Sequence, residues 1–275
     1  MMCVVLKIGG SLQTQMVPAL RTAISVFQSV SVPVAVVHGG GPQISEALAR
    51  KNMTLPFKNG IRMTTPAAMP IVESAMWSGV NQELSDRLSE YGLCVVRVNG
   101  ADGVFHVAST PMLRTGHIDH VHVDYVLKHL KSFHIPIIAP LGFDSVHLRY
   151  NINADVAAAH LAGALHAEKV IFCTDVPGIY ADFKNGEKLD DTTPSELKRL
   201  LSEHKFTNGM IPKVESVLLA LENGASTVYV INGQDEESML WAACDDPKVA
   251  ASPAENHPGT RISHEMSHQM IATSR

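Results

Sequence analysis

The sequence predicts an α/β fold built on buried parallel strands, and three stretches carry that prediction. Cys3–Ile8 (CVVLKI), Val34–Val37 (VAVV) and Lys169–Cys173 (KVIFC) are apolar runs rich in β-branched residues, and each ends at a glycine-containing turn. Such runs suit strands covered on both faces, where the alternation of apolar and polar residues disappears. Between the first two, Pro18–Val30 is amphipathic at helical spacing through Leu20, Ile24 and Phe27. Strand, helix and strand then form a β-α-β unit, for which a right-handed crossover is expected.

At 275 residues the chain accommodates one large α/β domain or two lobes. A hydrophobic content of 45% with 18% charged residues is that of an ordinary globular protein. The net charge of −5 argues against a nucleic-acid partner, which calls for a basic face. No apolar run reaches the roughly eighteen residues of a membrane span, so no membrane association is expected. Lys7 interrupts the apolar start MMCVVLKIGG too early for a signal peptide. Cys3, Cys94 and Cys173 lie in or beside strand-like runs and are expected to be buried and reduced in a cytoplasmic protein.

In Val34–Ser45 (VAVVHGGGPQIS) the strand gives way to Gly39, Gly40 and Gly41, and Pro42 suits a first helical turn. Without Cβ atoms these glycines admit a ligand close to the backbone and permit positive φ. Backbone N–H groups and the positive end of a helix dipole then favour an anion, most naturally phosphate; a tight turn without a ligand is the other reading. Lys7 is either a surface lysine of an edge strand or a cation at the carboxyl end of the sheet, where open α/β folds bind ligands.

Asn52–Thr65 reads as a loop carrying Arg62, and Thr65-Pro66 as a helix start. Ile71, Val72, Ala75, Met76, Val80, Leu84 and Leu88 then continue one long helical pattern, with Pro70 as an alternative start and Gly92 as its stop. Leu93–Val98 is a strand candidate, and Asn99-Gly100 and Asp102-Gly103 are turn signals. His117, His120 and His122 read as the polar positions of a β-segment interleaved with Ile118, Val121 and Val123, because no carboxylate or thiol completes a metal-ligand set. Tyr125–Leu130 reads as helix and Ile135–Pro140 as buried strand. Asn151, Asn153 and Asp155 precede an alanine-rich helix, Val156–Leu165, where Asp155 also has a plain reading as an acid favoured by the dipole.

Thr174–Gly178 is a further turn at a strand's carboxyl end, Asn185-Gly186 a hairpin turn, and Thr193–Glu196 a capping box. Thr207–Glu215 leads into a helix through Val214, Val217, Leu218 and Leu221 that stops at Asn223-Gly224. Lys213 in its first turn opposes the helix dipole, a local conflict that marks a functional candidate. Thr227–Ile231 is the last clear strand, and the polar segment from Ala251 onward is expected to be loosely ordered.

Six motifs occur in order from Lys7 to Lys213: Lys7-Ile8-Gly9-Gly10-Ser11, His38-Gly39-Gly40-Gly41-Pro42, Gly60-Ile61-Arg62, Asn151-Ile152-Asn153-Ala154-Asp155, Thr174-Asp175-Val176-Pro177-Gly178 and Gly209-Met210-Ile211-Pro212-Lys213. Together they resemble the amino-acid kinase family, and within it the members that phosphorylate N-acetyl-L-glutamate in arginine biosynthesis. The resemblance implies a three-layer αβα sandwich around a mostly parallel sheet of about eight strands. Residues 1–165 would form a lobe for the acyl amino acid and residues 166–275 a lobe for ATP, whose Mg²⁺ is held mainly through the phosphates with no dedicated protein ligand. By the same resemblance Lys7 and Lys213 contact the transferring phosphoryl group and Asp155 holds both. Gly9, Gly10, Gly40 and Gly41 offer backbone donors, and Arg62 and Asn151 bind the acyl amino acid. Thr174, Asp175, Val176, Gly178, Tyr180, Gly209 and Met210 shape the nucleotide pocket.

The chain departs from the family pattern in two places: Met63-Thr64-Thr65 follows Arg62 in place of a Val-Thr-Asp-type run, and Asn208-Gly209 replaces two glycines. The chain starts almost at the first strand, so the resemblance also implies a homodimer through the Ile71–Gly92 helix without strong arginine feedback. Other acceptors (aspartate, glutamate or an acylated aminoadipate) and a non-catalytic amino-acid sensor are the competing expectations. A sensor of that kind is expected to lose Lys7, Asp155 or Lys213, and all three are present.

Overall fold

A computed structural model describes residues 2–10, 13–109, 112–182, 185–207, 209–245 and 257–264. Alternation along the Val4–Ile8 strand organises it: successive side chains of a strand point to opposite faces. Val5, with Ala35, Val37, Val170, Phe172, Val228 and Val230 of neighbouring strands, enters one core beneath the helices Ala154–Leu165, Pro194–Ser202 and Ile211–Glu222. Val4, Leu6 and Ile8 enter a second core on the opposite face, closed by the helices Gln13–Ser29, Gln82–Glu90 and Glu236–Cys244. The result is the three-layer αβα sandwich expected.

The central sheet has eight strands in the order Asp191–Thr192, Gly259–Ser263, Thr227–Asn232, Lys169–Thr174, Val4–Ile8, Val34–His38, Ile135–Ala139 and Val95–Asn99. Gly259–Ser263 runs antiparallel to Thr227–Asn232 and parallel to Asp191–Thr192; the other pairings are parallel. Lys7 stands opposite Phe172 on one side and Val37 on the other, at the middle of the sheet. The edge-strand reading of Lys7 is therefore excluded.

Several expectations need correction. Thr227–Ile231 is not the last strand, because Gly259–Ser263 follows within the region read as loose. Arg261, 1% exposed, disguises it: its guanidinium donates to Asp191 Oδ1 at 2.6 Å and to Asp245 Oδ2 at 3.0 Å, so a charge occupies a core position. The rest of that expectation, at 251–256 and 265–275, lies outside the described residues, as do Ser11 and Asn208. The long helix is not uniform: Met69–Ser74 is α-helical, Ala75–Asn81 is π-helical, and Gln82–Glu90 returns to α before Gly92 at φ +79°. The helix starts at Met69 with Ala68 as its N-cap and Pro70 in its first turn, as the alternative start expected and not at Thr65-Pro66. Thr65 Oγ1 accepts from the Ala68 amide at 3.3 Å in the turn before it. Within the Asn52–Thr65 segment, Phe57–Lys58 and Ile61–Arg62 form a hairpin whose Asn59 and Gly60 both take positive φ, as a two-residue primed turn requires. Cys94 is exposed, because the Val95–Asn99 strand that it precedes is the sheet's edge.

A four-stranded sheet of Arg149–Asn151, Leu141–Phe143, Phe105–Val107 and Ile118–Val121 flanks the central one, and His120 lies on its last strand. Among the described residues no helix is long and apolar enough to cross a membrane.

Candidate active site

The Val4–Ile8, Val34–His38 and Lys169–Thr174 strands end side by side, and the loops leaving the first two line one cleft of about 190 Å³. Lys7, Gly10, Gly40, Gly41, Arg62, Asn151 and Asp155 all reach it. Two helices begin at its wall: Gly41–Ala49, with Gly40 at its N-cap, and Ala154–Leu165, with Asn153 at its N-cap. A third, Ile211–Glu222, begins close by: a Cβ placed on Gly60 would lie 3.3 Å from Pro212 Cγ. Helix amino termini present unpaired N–H groups and positive potential, so these ends make an anion-binding wall.

The glycines are needed here for close approach rather than for positive φ. Gly40 has φ −175°, and the glycines with positive φ are Gly60, Gly92, Gly103, Gly186 and Gly224. A Cβ on Gly10 would stand 2.6 Å from the Gly40 nitrogen and 2.7 Å from the Gly41 nitrogen. The two glycine turns thus bring their backbones together face to face.

Lys7 Nζ is 2.8 Å from Asp155 Oδ1, with 12% and 23% of the two side chains exposed. Asp155 lies in the first turn of its helix, at the positive end of the dipole. The plain reading of Asp155 as an acid in the first turn of a helix is what the structure shows. Lys213 comes from the opposite side, and its ammonium donates to Thr174 Oγ1, which in turn donates to Asp175 Oδ1 at 3.0 Å. Burial holds the Lys213 pKa below the ordinary lysine value, and Lys7 lowers it further; Asp155 and Asp175 oppose the shift. Two ammonium groups therefore share the field of one carboxylate. That arrangement is costly unless it serves an anionic ligand.

Arg62 is 7% exposed, stacks over the Phe57 ring at 4.5 Å and donates to Gly41 O at 3.0 Å and Ser45 Oγ at 2.8 Å. Burial lowers its pKa, although a guanidinium remains charged. Asn151 donates to Thr64 Oγ1 at 3.1 Å, and Thr115 donates to the Arg62 carbonyl at 2.9 Å. Thr64, Thr115, Ser45 and Met76 escaped the sequence reading, since nothing local distinguishes them from surface threonine, helix serine and core methionine. Asn153 had a readable signal as an N-cap asparagine, and it accepts from the Asp155 and Val156 amides at 2.8 and 3.2 Å.

Gly9 follows the Lys7 strand, while Thr174, Asp175, Val176, Gly178, Tyr180, Gly209, Met210 and Lys213 do not line this cleft. A Cβ on Gly178 would be 2.5 Å from Thr260 Oγ1, Tyr180 opens a short hairpin, and Met210 is buried. Beside them a larger cavity of about 510 Å³ opens between that hairpin and the Pro194–Ser202 helix, lined in part by Ala181, Leu189, Leu200 and Thr207. Among the described residues no group of three or more His, Cys, Asp or Glu side chains is arranged to hold a metal ion.

The chain belongs to the amino acid kinase family, whose model matches residues 2–232. It is similar to an acetylglutamate kinase of Geobacillus sp. (strain WCH70), with 35% identity over 84% of this chain and 90% of the relative. The acetylglutamate kinase of Nautilia profundicola is also 35% identical, over 86% of this chain and 85% of that protein. Among solved structures, smu.665 from Streptococcus mutans UA159 superposes with a TM-score of 0.79 at 25% identity, covering 96% of this chain and 99% of its own. The protein is thus a kinase of this family.

Proposed function

We propose that the protein transfers the γ-phosphoryl group of ATP to the γ-carboxylate of N-acetyl-L-glutamate, yielding an acyl phosphate and ADP. The observation that carries this reading is the Lys7–Asp155 ion pair, with the buried Lys213 ammonium within the field of Asp155, beside two apposed glycine turns. The acetylglutamate kinases among the relatives support the choice of acceptor. A γ-carboxylate with an ordinary pKa of about 4.3 is already ionised at neutral pH, so the reaction needs no general base. It needs relief from bringing two anions together, which in phosphoryl transfer is a matter of position and positive charge.

Lys7 and Lys213 supply that charge, while Asp155 orients Lys7 and opposes the loss of charge at Lys213. Gly10, Gly40 and Gly41 offer N–H donors to phosphate oxygens. Arg62 and Asn151 receive the acceptor's α-carboxylate and its surroundings. Thr174, Asp175, Val176, Gly178, Tyr180, Gly209 and Met210 border the nucleotide, whose base fits the cavity beside the Tyr180 hairpin. Mg²⁺ accompanying ATP takes its ligands chiefly from the phosphates and neutralises their charge. Residues 1–165 act as the acceptor lobe and 166–275 as the nucleotide lobe, and the Ile71–Gly92 helix forms a homodimer seam.

ADP release from MgATP tests the reading, with N-acetyl-L-glutamate run beside glutamate, aspartate and an acylated aminoadipate. Turnover with N-acetyl-L-glutamate alone, reduced about 10²–10³-fold in kcat by Lys213→Ala while the fold persists, is the expected result. Turnover with a different acid would replace the acceptor. ATP binding without turnover of any acid would favour a sensor.

A further inference from the structure

The Ala75–Asn81 π-helical stretch and the residue before the glycine turn, His38, form one buried polar chain. Residues five apart on an α-helix lie about 140° apart around its axis, whereas i→i+5 bonding brings them to nearly one face. Met76 and Asn81 are five apart in this stretch, and both face the glycine turn. Both are buried, at 1% and 0% exposure, while Ser78 and Gly79 between them are exposed. A Cβ on Gly40 would lie 2.2 Å from Met76 Sδ, so the methionine rests directly on that glycine. Asn81 Nδ2 is 3.0 Å from His38 Nε2 and 2.8 Å from the Ile137 carbonyl, and His38 Nδ1 is 2.9 Å from the Gly39 carbonyl.

Donor and acceptor roles in this chain have a single consistent solution. Carbonyl oxygens only accept, so Asn81 Nδ2 gives one hydrogen to Ile137 and the other to His38 Nε2. His38 must then carry its proton on Nδ1 and donate to Gly39. The amide orientation of Asn81 is fixed from the far side, where Arg97 Nε donates to Asn81 Oδ1 at 3.0 Å. Arg97 is itself stacked over Trp77 at 4.0 Å and donates to the Trp77 carbonyl at 2.6 Å. Burial pushes the His38 pKa down to about 4, with Arg97 adding to the shift and the Gly39 contact opposing it, so the ring stays neutral near pH 7.

The peptide between Gly39 and Gly40 is planar and trans, so its C=O and N–H point in opposite directions. Holding the Gly39 oxygen toward His38 turns the Gly40 N–H the opposite way, and the Gly40 nitrogen lies beside Gly10 at the cleft. We propose that His38, set in its Nδ1–H tautomer by Asn81 and Arg97, is a positioning residue that aims the Gly40 amide at the phosphoryl group. The π-helical stretch is what lets one helix supply both the methionine support and the asparagine. The proposal rests on the reading that the Gly40 amide meets a phosphate.

Nitrogen-15 NMR of the full chain, with kcat, KM and thermal unfolding of each variant, tests it. Wild type is expected to show neutral His38 protonated on Nδ1 between pH 6 and 8, and a Gly40 amide that shifts on adding MgAMP-PNP. Asn81→Asp puts an acceptor against Nε2, so the proton moves there. That variant should lose the Gly40 shift and about 10²-fold in kcat, the loss typical of one preorganised donor, with each KM within about threefold. His38→Asn places an amide donor where Nδ1 stood and should keep kcat within about tenfold of wild type even as its unfolding temperature falls.

An Nε2–H or charged His38 in wild type, no Gly40 shift, or an Asn81→Asp enzyme with a moved proton and unchanged kcat would each overturn the proposal. So would equal kcat losses in His38→Asn and His38→Leu. If wild type turns over no N-acetyl-L-glutamate, the substrate reading fails alone, because the tautomer and the Gly40 shift are read without an acceptor.

Discussion

Asp155→Asn tests the electrostatics of the cleft most directly. At the 2.8 Å separation of Lys7 and Asp155, an effective dielectric constant of about 20 gives a gross attraction of about 6 kcal/mol. Desolvation of both groups offsets much of that, and removing one partner of a buried pair typically costs about 3–5 kcal/mol. With 12% and 23% of the side chains exposed, solvent weakens the pair somewhat, so a loss of about 3 kcal/mol in unfolding free energy is expected. Asp155 also interacts with its helix dipole, worth roughly 0.3–1 kcal/mol. A double-mutant cycle with Lys7→Met removes that contribution, because it appears in both arms. Urea unfolding of wild type, Lys7→Met, Asp155→Asn and the double variant should yield a coupling energy of about 2–3 kcal/mol. The double variant should be more stable than Asp155→Asn and equally inactive, because only the single variant leaves the Lys7 ammonium without its carboxylate. A coupling energy below about 0.5 kcal/mol, as for exposed surface pairs, would refute the reasoning.

Because burial lowers the Lys213 pKa, kcat is expected to fall with rising pH before an ordinary lysine would titrate, and a pH–rate profile at saturating substrates measures this. Stability should move the other way: between the lowered folded value and 10.5 the unfolded chain binds more protons, so Lys213's contribution to stability rises with pH. Gly10→Ala would set a Cβ 2.6 Å from the Gly40 nitrogen, where neither backbone can easily yield. A kcat loss of about 10²-fold or more is expected, and near-normal steady-state turnover would refute the face-to-face role of the two turns. Arg261→Met leaves Asp191 and Asp245 without their buried cation and should cost about 3–5 kcal/mol in a denaturant titration.

Much of this molecule was legible in local sequence because the signals are local. Val4–Ile8, Val34–His38 and Lys169–Thr174 are strands at the positions their apolar runs predicted. Thr193 caps its helix as the capping box implied, accepting from the Glu196 amide at 3.2 Å. The hairpin at Asn59-Gly60 was read only as loop, because the two-residue strands on either side are too short to show a period. Gly259–Ser263 was illegible for a different reason: Arg261 makes the segment look polar until Asp191, 70 residues earlier, and Asp245 neutralise it. The π-helical stretch left no trace either, since Met76, Val80 and Leu84 keep the spacing of an ordinary amphipathic helix.

The sequence by itself determined which groups are available: two lysines that break local rules, glycines where backbones meet, and an aspartate at a helix start. Tertiary structure alone decided that Lys7 sits at the sheet's centre rather than its edge, and that His38 answers to Asn81. Helix and strand preferences depend on neighbours a few residues away, and a sequence displays those neighbours. Pair electrostatics and hydrogen-bond roles depend on distance in space and on burial, and the chain acquires both only when it closes.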